Sequence, residues 1–174
     1  CFCHPDDDPL LRAGQEATVK RLFTAARRQR LEFLLEIIPG KVGPTDDDTS
    51  ATLIRQFYAA GIYPDWWKLE PMKTQEAWAR AIAAIEENDA HTRGIVVLGL
   101  DAPEAELRAS FEVAAGFPLV KGFAVGRTIF GDTARAWMKG EIEDAAAVAE
   151  MADRYRRLCE TWDKARATAQ EKAA

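Results

Sequence analysis

Phe33-Leu-Leu-Glu-Ile-Ile38, ended by Pro39-Gly40, and Asp65-Trp-Trp-Lys-Leu-Glu70 decide the fold. Each is a short apolar run bounded by turn residues, with one charge set inside it, the pattern of a buried strand. Ile95-Val-Val-Leu-Gly-Leu100 and Gly122-Phe-Ala-Val125 repeat it downstream, and Cys1-Phe-Cys-His4 opens the chain in the same strand-like way. Between these runs the period changes to that of a helix. Val19, Leu22, Phe23 and Ala26 fall at i, i+3, i+4 and i+7; Ile54, Phe57 and Tyr58 mark a second helix; Trp78, Ala81, Ile82 and Ile85 mark a third, with Thr74 as its N-cap. Pro103 opens a fourth helix, with Glu104 and Glu106 near the positive end of its dipole and Leu107, Phe111 and Ala114 on its apolar side. Gly126-Arg-Thr-Ile-Phe-Gly131 reads as the turn that closes the fifth strand. Val148, Met151, Ala152, Tyr155, Cys159 and Trp162 share the face of a last helix, and the pattern fades over 165–174, which is expected to fray.

Polar landmarks at the strand ends, Glu36, Lys68, Gly99 and Arg127, are separated by 32, 31 and 28 residues, the length of a βα unit. Apolar strands linked by helices imply a parallel sheet, which a doubly wound fold and a barrel satisfy equally.

The 174 residues, 48% of them hydrophobic, suffice for the core of one domain. A net charge of −5, spread over mixed segments without a basic stripe, argues against a nucleic-acid partner. No apolar run approaches the roughly 18 residues of a membrane span, and the start of the chain lacks the order of a signal peptide, so a soluble, cytoplasmic protein is expected. Cys1, Cys3 and Cys159 match neither a disulfide framework nor a CxxC motif, which fits a reducing setting. His4 and His91 are the only histidines, too few for a zinc site, and no metal or cofactor is expected. Asp6-Asp-Asp8 and Asp46-Asp-Asp48 lack the spacing of a calcium loop and read as solvated starts of helices. His4 could reach a site at the strand ends or lie on the surface beside Pro5.

Lys68 needs a physical reason, because it stands in a strand among Trp66, Trp67 and Leu69. Alternation puts Trp66, Lys68 and Glu70 on one face and Trp67 and Leu69 on the other. Aromatic walls favour the neutral amine that a Schiff base requires, while a neighbouring carboxylate favours the ammonium. The alternative is a structural ion pair, of Lys68 with Glu70 or with Glu36. Glu36 is equally out of place and is either paired or a general acid/base beside the amine. Gly126-Arg127 after the last strand has the make-up of a phosphate grip, glycine admitting the oxyanion to backbone N–H groups and arginine neutralising it; an ordinary turn with a solvated arginine fits as well.

Leu34-Leu-Glu-Ile-Ile-Pro39, Trp66-Trp-Lys-Leu-Glu-Pro71 and Gly122-Phe-Ala-Val-Gly-Arg-Thr-Ile-Phe-Gly131 together resemble a known family. This is the aldolase domain of the bifunctional 5-dehydro-2-deoxygluconokinase/5-dehydro-2-deoxyphosphogluconate aldolases of bacterial inositol catabolism. The similarity covers nearly the whole chain. The same positions resemble, more distantly, class I tagatose-1,6-bisphosphate aldolases. The resemblance implies the C-terminal part, about five βα units, of a TIM (β/α)8 barrel. It makes Lys68 the Schiff-base nucleophile and Glu36 the acid/base, with Glu70, Gly99, Gly126 and Arg127 binding substrate. Leu98-Gly-Leu-Asp101 departs from the serine- and glycine-containing turn of the distant relatives. The implied reaction is retro-aldol cleavage of 2-deoxy-5-keto-gluconate 6-phosphate, a phosphorylated keto-sugar acid, to dihydroxyacetone phosphate and malonate semialdehyde.

The same resemblance implies that residues 1–174 are a partial aldolase-type barrel domain. The first barrel strands would lie upstream, with a lysine just before Cys1, an acidic residue on the first strand and a fused sugar-kinase domain. Five strands of eight would leave sheet edges exposed, so the isolated chain is expected to oligomerise or aggregate. Two rival functions stand beside this one. A zinc-dependent class II aldolase would need more histidines, and a non-catalytic barrel module attached to the kinase would keep the fold without the chemistry.

Overall fold

A computed structural model describes residues 1–99 and 102–173. The chain is an α/β protein in which, among the described residues, four strands form one parallel sheet accompanied by six α-helices. The helix α1 (Pro9–Arg28) precedes β1 (Leu34–Ile37); α2 (Thr49–Ala59), β2 (Trp66–Leu69), α3 (Gln75–Glu86), β3 (Gly94–Leu98), α4 (Glu104–Ala114) and β4 (Val120–Ala124) follow in alternation. The chain ends in α5 (Arg127–Met138) and α6 (Asp144–Ala173). The expected strands at 33–38, 65–70, 95–100 and 122–125 thus appear within two residues of their places, Leu100 lying outside the described residues.

Strand order follows chain order, β1-β2-β3-β4, every pair parallel. No switch point of a doubly wound sheet occurs among these strands. Right-handed crossovers in such an order put all the connecting helices on one face. Burial agrees. Leu35, Ile37, Trp67, Leu69, Ile95, Val97 and Val120 enter the core with Trp78, Ile85, Leu107 and Phe111 from the helices. The alternate residues Glu36, Lys68, Val96 and Gly122 are only half-buried. They stand in one row, because Glu36 pairs with Lys68, Lys68 with Val96, and Val96 with Gly122 after a bulge that skips Lys121.

The Thr74 cap read from sequence is present, and the two acidic loops start helices as expected. The Asp8 carboxylate accepts from the Leu10 and Leu11 amides, and Thr74 Oγ1 accepts from Ala77 N at 3.0 Å. Asp46 accepts from the amides of Asp48 and Thr49 at the start of α2. Pro103 is the N-cap of α4.

Four expectations are corrected. Cys1–His4 forms no strand: Cys1 N donates to Glu36 O at 2.7 Å and Cys1 O accepts from Ile38 N at 2.8 Å, but the turn beginning at His4 takes the chain away from β1. Leu22 is 58% exposed, since α1 enters the core through Val19 with Phe23 packed beside it. The segment after Gly126 is the three-turn helix α5, not a turn; it ends where Gly140, at φ +71°, lets Glu141 N reach back to Ala136 O. The region 165–173 remains helical, because the Arg166 guanidinium is tied to the carbonyls of Ala115, Phe117 and Val120 at the junction of α4 and β4.

Candidate functional site

Lys68 and Glu36 meet on the sheet face that the helices leave uncovered. Their Cα atoms are register partners on β2 and β1, so side chains of unequal length converge, and Lys68 Nζ lies 3.0 Å from Glu36 Oε1. Their side chains are 21% and 32% exposed, so the pair is partly desolvated yet open to a solute. The row continues through Val96 to Gly122, where a Cβ would find nothing within 4 Å. Below Lys68, Trp66 is half-buried and its Nε1 donates to Glu32 Oε2 at 2.8 Å. Of the two pairings weighed for Lys68, the structure forms the one with Glu36.

Glu70 lies elsewhere. It follows β2 and is only 9% exposed; its Oε2 accepts from Gly40 N at 2.8 Å, and its Oε1 has no hydrogen-bond partner among the described residues. Burial pushes its carboxyl above the ordinary glutamate range, against the Gly40 hydrogen bond and the charge of Lys41, which act the other way. Glu70 and Gly99 line a cleft of about 820 Å³ at the C-terminal ends of β2 and β3, a cleft that neither Lys68 nor Glu36 lines. Gly99 also has a packing reason: a Cβ there would stand 2.8 Å from Val125 Cγ1, so its lack of a side chain lets the ends of β3 and β4 close up.

Gly126 and Arg127 form the N-terminus of α5, whose N-cap, Gly126, supplies no side-chain hydrogen bond to the first amides. Thr128 Oγ1 donates to Ala102 O at 3.1 Å and fixes this helix start to the segment before α4. Exposed Arg127 lines a cavity of about 560 Å³ with Thr128, Arg135, Arg154 and Arg157, together with Glu104 and Asp132. The expected site residues therefore occupy three places near the C-terminal ends of the strands. Glu36 and Lys68 touch, Glu70 and Gly99 share a cleft, and Gly126 and Arg127 open α5.

His4 is a structural residue, neither on the surface nor at a site. It is 8% exposed; Nδ1 accepts from Asp6 N at 3.2 Å, leaving Nε2–H to donate to Pro44 O at 2.9 Å. The neighbouring Cys3 thiol is buried, and burial pushes it up to about 11. No group of three or more His, Cys, Asp or Glu among the described residues is arranged to hold a metal ion. No helix among them is long and apolar enough to cross a membrane. Sequence reading missed Lys41 and Lys73 at the Glu70 cleft, because lysines in loops look like solvated surface.

The geometry defines an α/β protein with a chain-ordered parallel sheet and an amine–carboxylate pair on its uncovered face. The chain belongs to the family described as "Uncharacterized protein conserved in bacteria (DUF2090)", whose model matches residues 1–166. No curated protein matches it.

Proposed function

We propose that the protein is a class I aldolase that cleaves a phosphorylated keto-sugar acid, by the resemblance 2-deoxy-5-keto-gluconate 6-phosphate, through an imine on Lys68. The observation that carries this reading is the 3.0 Å contact of Lys68 Nζ with Glu36 on the open sheet face. An amine and a carboxylate in contact supply a nucleophile and a proton carrier without a metal. Lys68 attacks the substrate ketone and water leaves, giving an iminium. Glu36 takes the proton of the hydroxyl two carbons away, the intervening carbon–carbon bond breaks, and the electron pair passes into the iminium as an enamine. Malonate semialdehyde departs; the enamine is protonated and hydrolysed to dihydroxyacetone phosphate, restoring the amine. Gly126 and Arg127 at the start of α5 hold the phosphate.

This reading takes the chain-ordered strands and one-sided helices as part of a (β/α)8 barrel whose interior is the face bearing Lys68. It sets the protein in the cytoplasm, in inositol catabolism, beside a sugar-kinase domain. Release of dihydroxyacetone phosphate, followed with a coupled glycerol-phosphate dehydrogenase, tests it. Turnover is expected to survive EDTA and to fall by about a hundredfold or more in Glu36→Gln. Absence of product from the full-length natural polypeptide would favour a non-catalytic module, and loss to EDTA restored by zinc would favour a class II enzyme.

A further inference from the structure

Glu70 has an unusual arrangement for a group with no ion pair among the described residues. Its carboxyl abuts the backbone at Gly40, where a Cβ would stand 2.9 Å from Oε2 and 3.2 Å from Oε1. One oxygen is satisfied by Gly40 N, and the other is buried without a partner among the described residues. An orphaned buried polar atom costs on the order of 1–3 kcal/mol. The cleft that Glu70 lines has an apolar wall from Met72, Leu107 and Val113 and carries exposed Lys41 and Lys73. Among the described residues, Glu106 contributes the one other charge of the lining.

We propose that this cleft binds a small carboxylate, with Glu70 donating a hydrogen bond at its inner end and Lys41 and Lys73 supplying positive charge at its mouth. A protonated carboxyl meeting a carboxylate makes a strong charge-assisted hydrogen bond, and the ligand oxygen gives the buried Glu70 oxygen its missing partner. Lys41 and Lys73 at the mouth draw the anion in. The apolar wall accommodates a short carbon chain. Burial raises the Glu70 titration and so favours the protonated form that donates. The charged groups sharing the cleft with Glu70 are Lys41, Lys73 and Glu106, and the Cys3 thiol, which feels the Glu70 charge, is pushed up to about 11 by burial and stays neutral. The site is independent of the imine chemistry, since neither Lys68 nor Glu36 lines it.

Lactate is a suitable probe, because it stays ionised between about pH 5 and pH 8 and forms no imine. Its binding to the whole chain is measured by titration calorimetry, with sulfate at equal ionic strength as the control for general anion effects. Wild type is expected to bind lactate and to lose affinity as rising pH takes the proton from Glu70. Glu70→Gln, a neutral donor at every pH, should bind lactate with no such dependence. Lys41→Ala combined with Lys73→Ala should weaken binding about tenfold or more. Lys68→Arg should bind as wild type does, so failure of the aldolase reading leaves this result untouched. No lactate binding, an equal response to sulfate, a wild-type pH profile in Glu70→Gln, or full affinity in the double lysine variant would each overturn the proposal.

Discussion

Replacing Arg166 with alanine should destabilise the fold more than any other change at the end of α6. The guanidinium donates to Ala115 O at 2.8 Å, to Phe117 O at 3.2 Å and to Val120 O, and it lies 5.3 Å from the Trp162 ring centroid. It thereby satisfies the Ala115 carbonyl at the C-cap of α4 and ties the loop and the start of β4 to α6. A buried hydrogen bond to a charged donor contributes about 1.5–3 kcal/mol. Arg166 is half-buried, so water replaces it at some of these carbonyls, and the three bonds together contribute about 2–3 kcal/mol. Contact with the indole adds about 0.5–1 kcal/mol. The sum, about 3 kcal/mol, corresponds to a fall in Tm of about 6–12 °C for a domain of this size. Differential scanning calorimetry, with urea unfolding as a check, measures it. Arg166→Lys should recover part of the loss by reaching one carbonyl. A shift below about 2 °C in Arg166→Ala would refute the argument that this residue holds α6 onto β4.

Gly99→Ala should cost about 1–3 kcal/mol through overpacking against Val125, and Val125→Ala in the same chain should restore most of it; an unchanged Tm in the single variant would show that the two strand ends yield freely. Glu70 gives a pH signature. Its folded titration is raised by burial, so its contribution to stability is present below the ordinary glutamate range and is lost as pH rises through the raised value. Glu70→Gln should therefore gain stability relative to wild type as pH rises from about 4 to 7, which parallel thermal melts would show; a constant difference would mean that Glu70 titrates normally.

Much of the fold was legible because burial imposes period and length. Apolar runs bounded by glycine and proline located four strands within two residues, and alternation correctly separated half-buried Trp66 and Lys68 from fully buried Trp67 and Leu69. The N-cap at Thr74 was legible because a side-chain oxygen near the first amides is a local interaction, and Asp6-Asp-Asp8 was legible as the start of a helix. Strand order and the one-sided helix layer were not, since both depend on contacts between distant segments. Gly131 concealed α5, although Ile129, Thr133 and Trp137 keep a four-residue spacing through it. Arg166 looked like part of a fraying tail because its partners are backbone carbonyls about fifty residues upstream, which no side-chain pattern reveals. At the candidate site the Glu36–Lys68 contact was one of two pairings that alternation allowed. Glu70 shares the strand period with Lys68, but past the end of β2 the chain no longer follows the pleat, and its carboxyl turns to Gly40.

The central claim is that Lys68 is a nucleophile and not only the partner of Glu36. Borohydride reduction in the presence of dihydroxyacetone phosphate, followed by peptide mass mapping of the longest natural polypeptide, addresses it directly. The account predicts one stable adduct on the peptide containing Lys68, and none in Lys68→Arg, which keeps the charge beside Glu36 but cannot form an imine. No adduct in wild type, or an adduct that persists at wild-type yield in Lys68→Arg, would contradict it and leave the 3.0 Å contact as a structural ion pair.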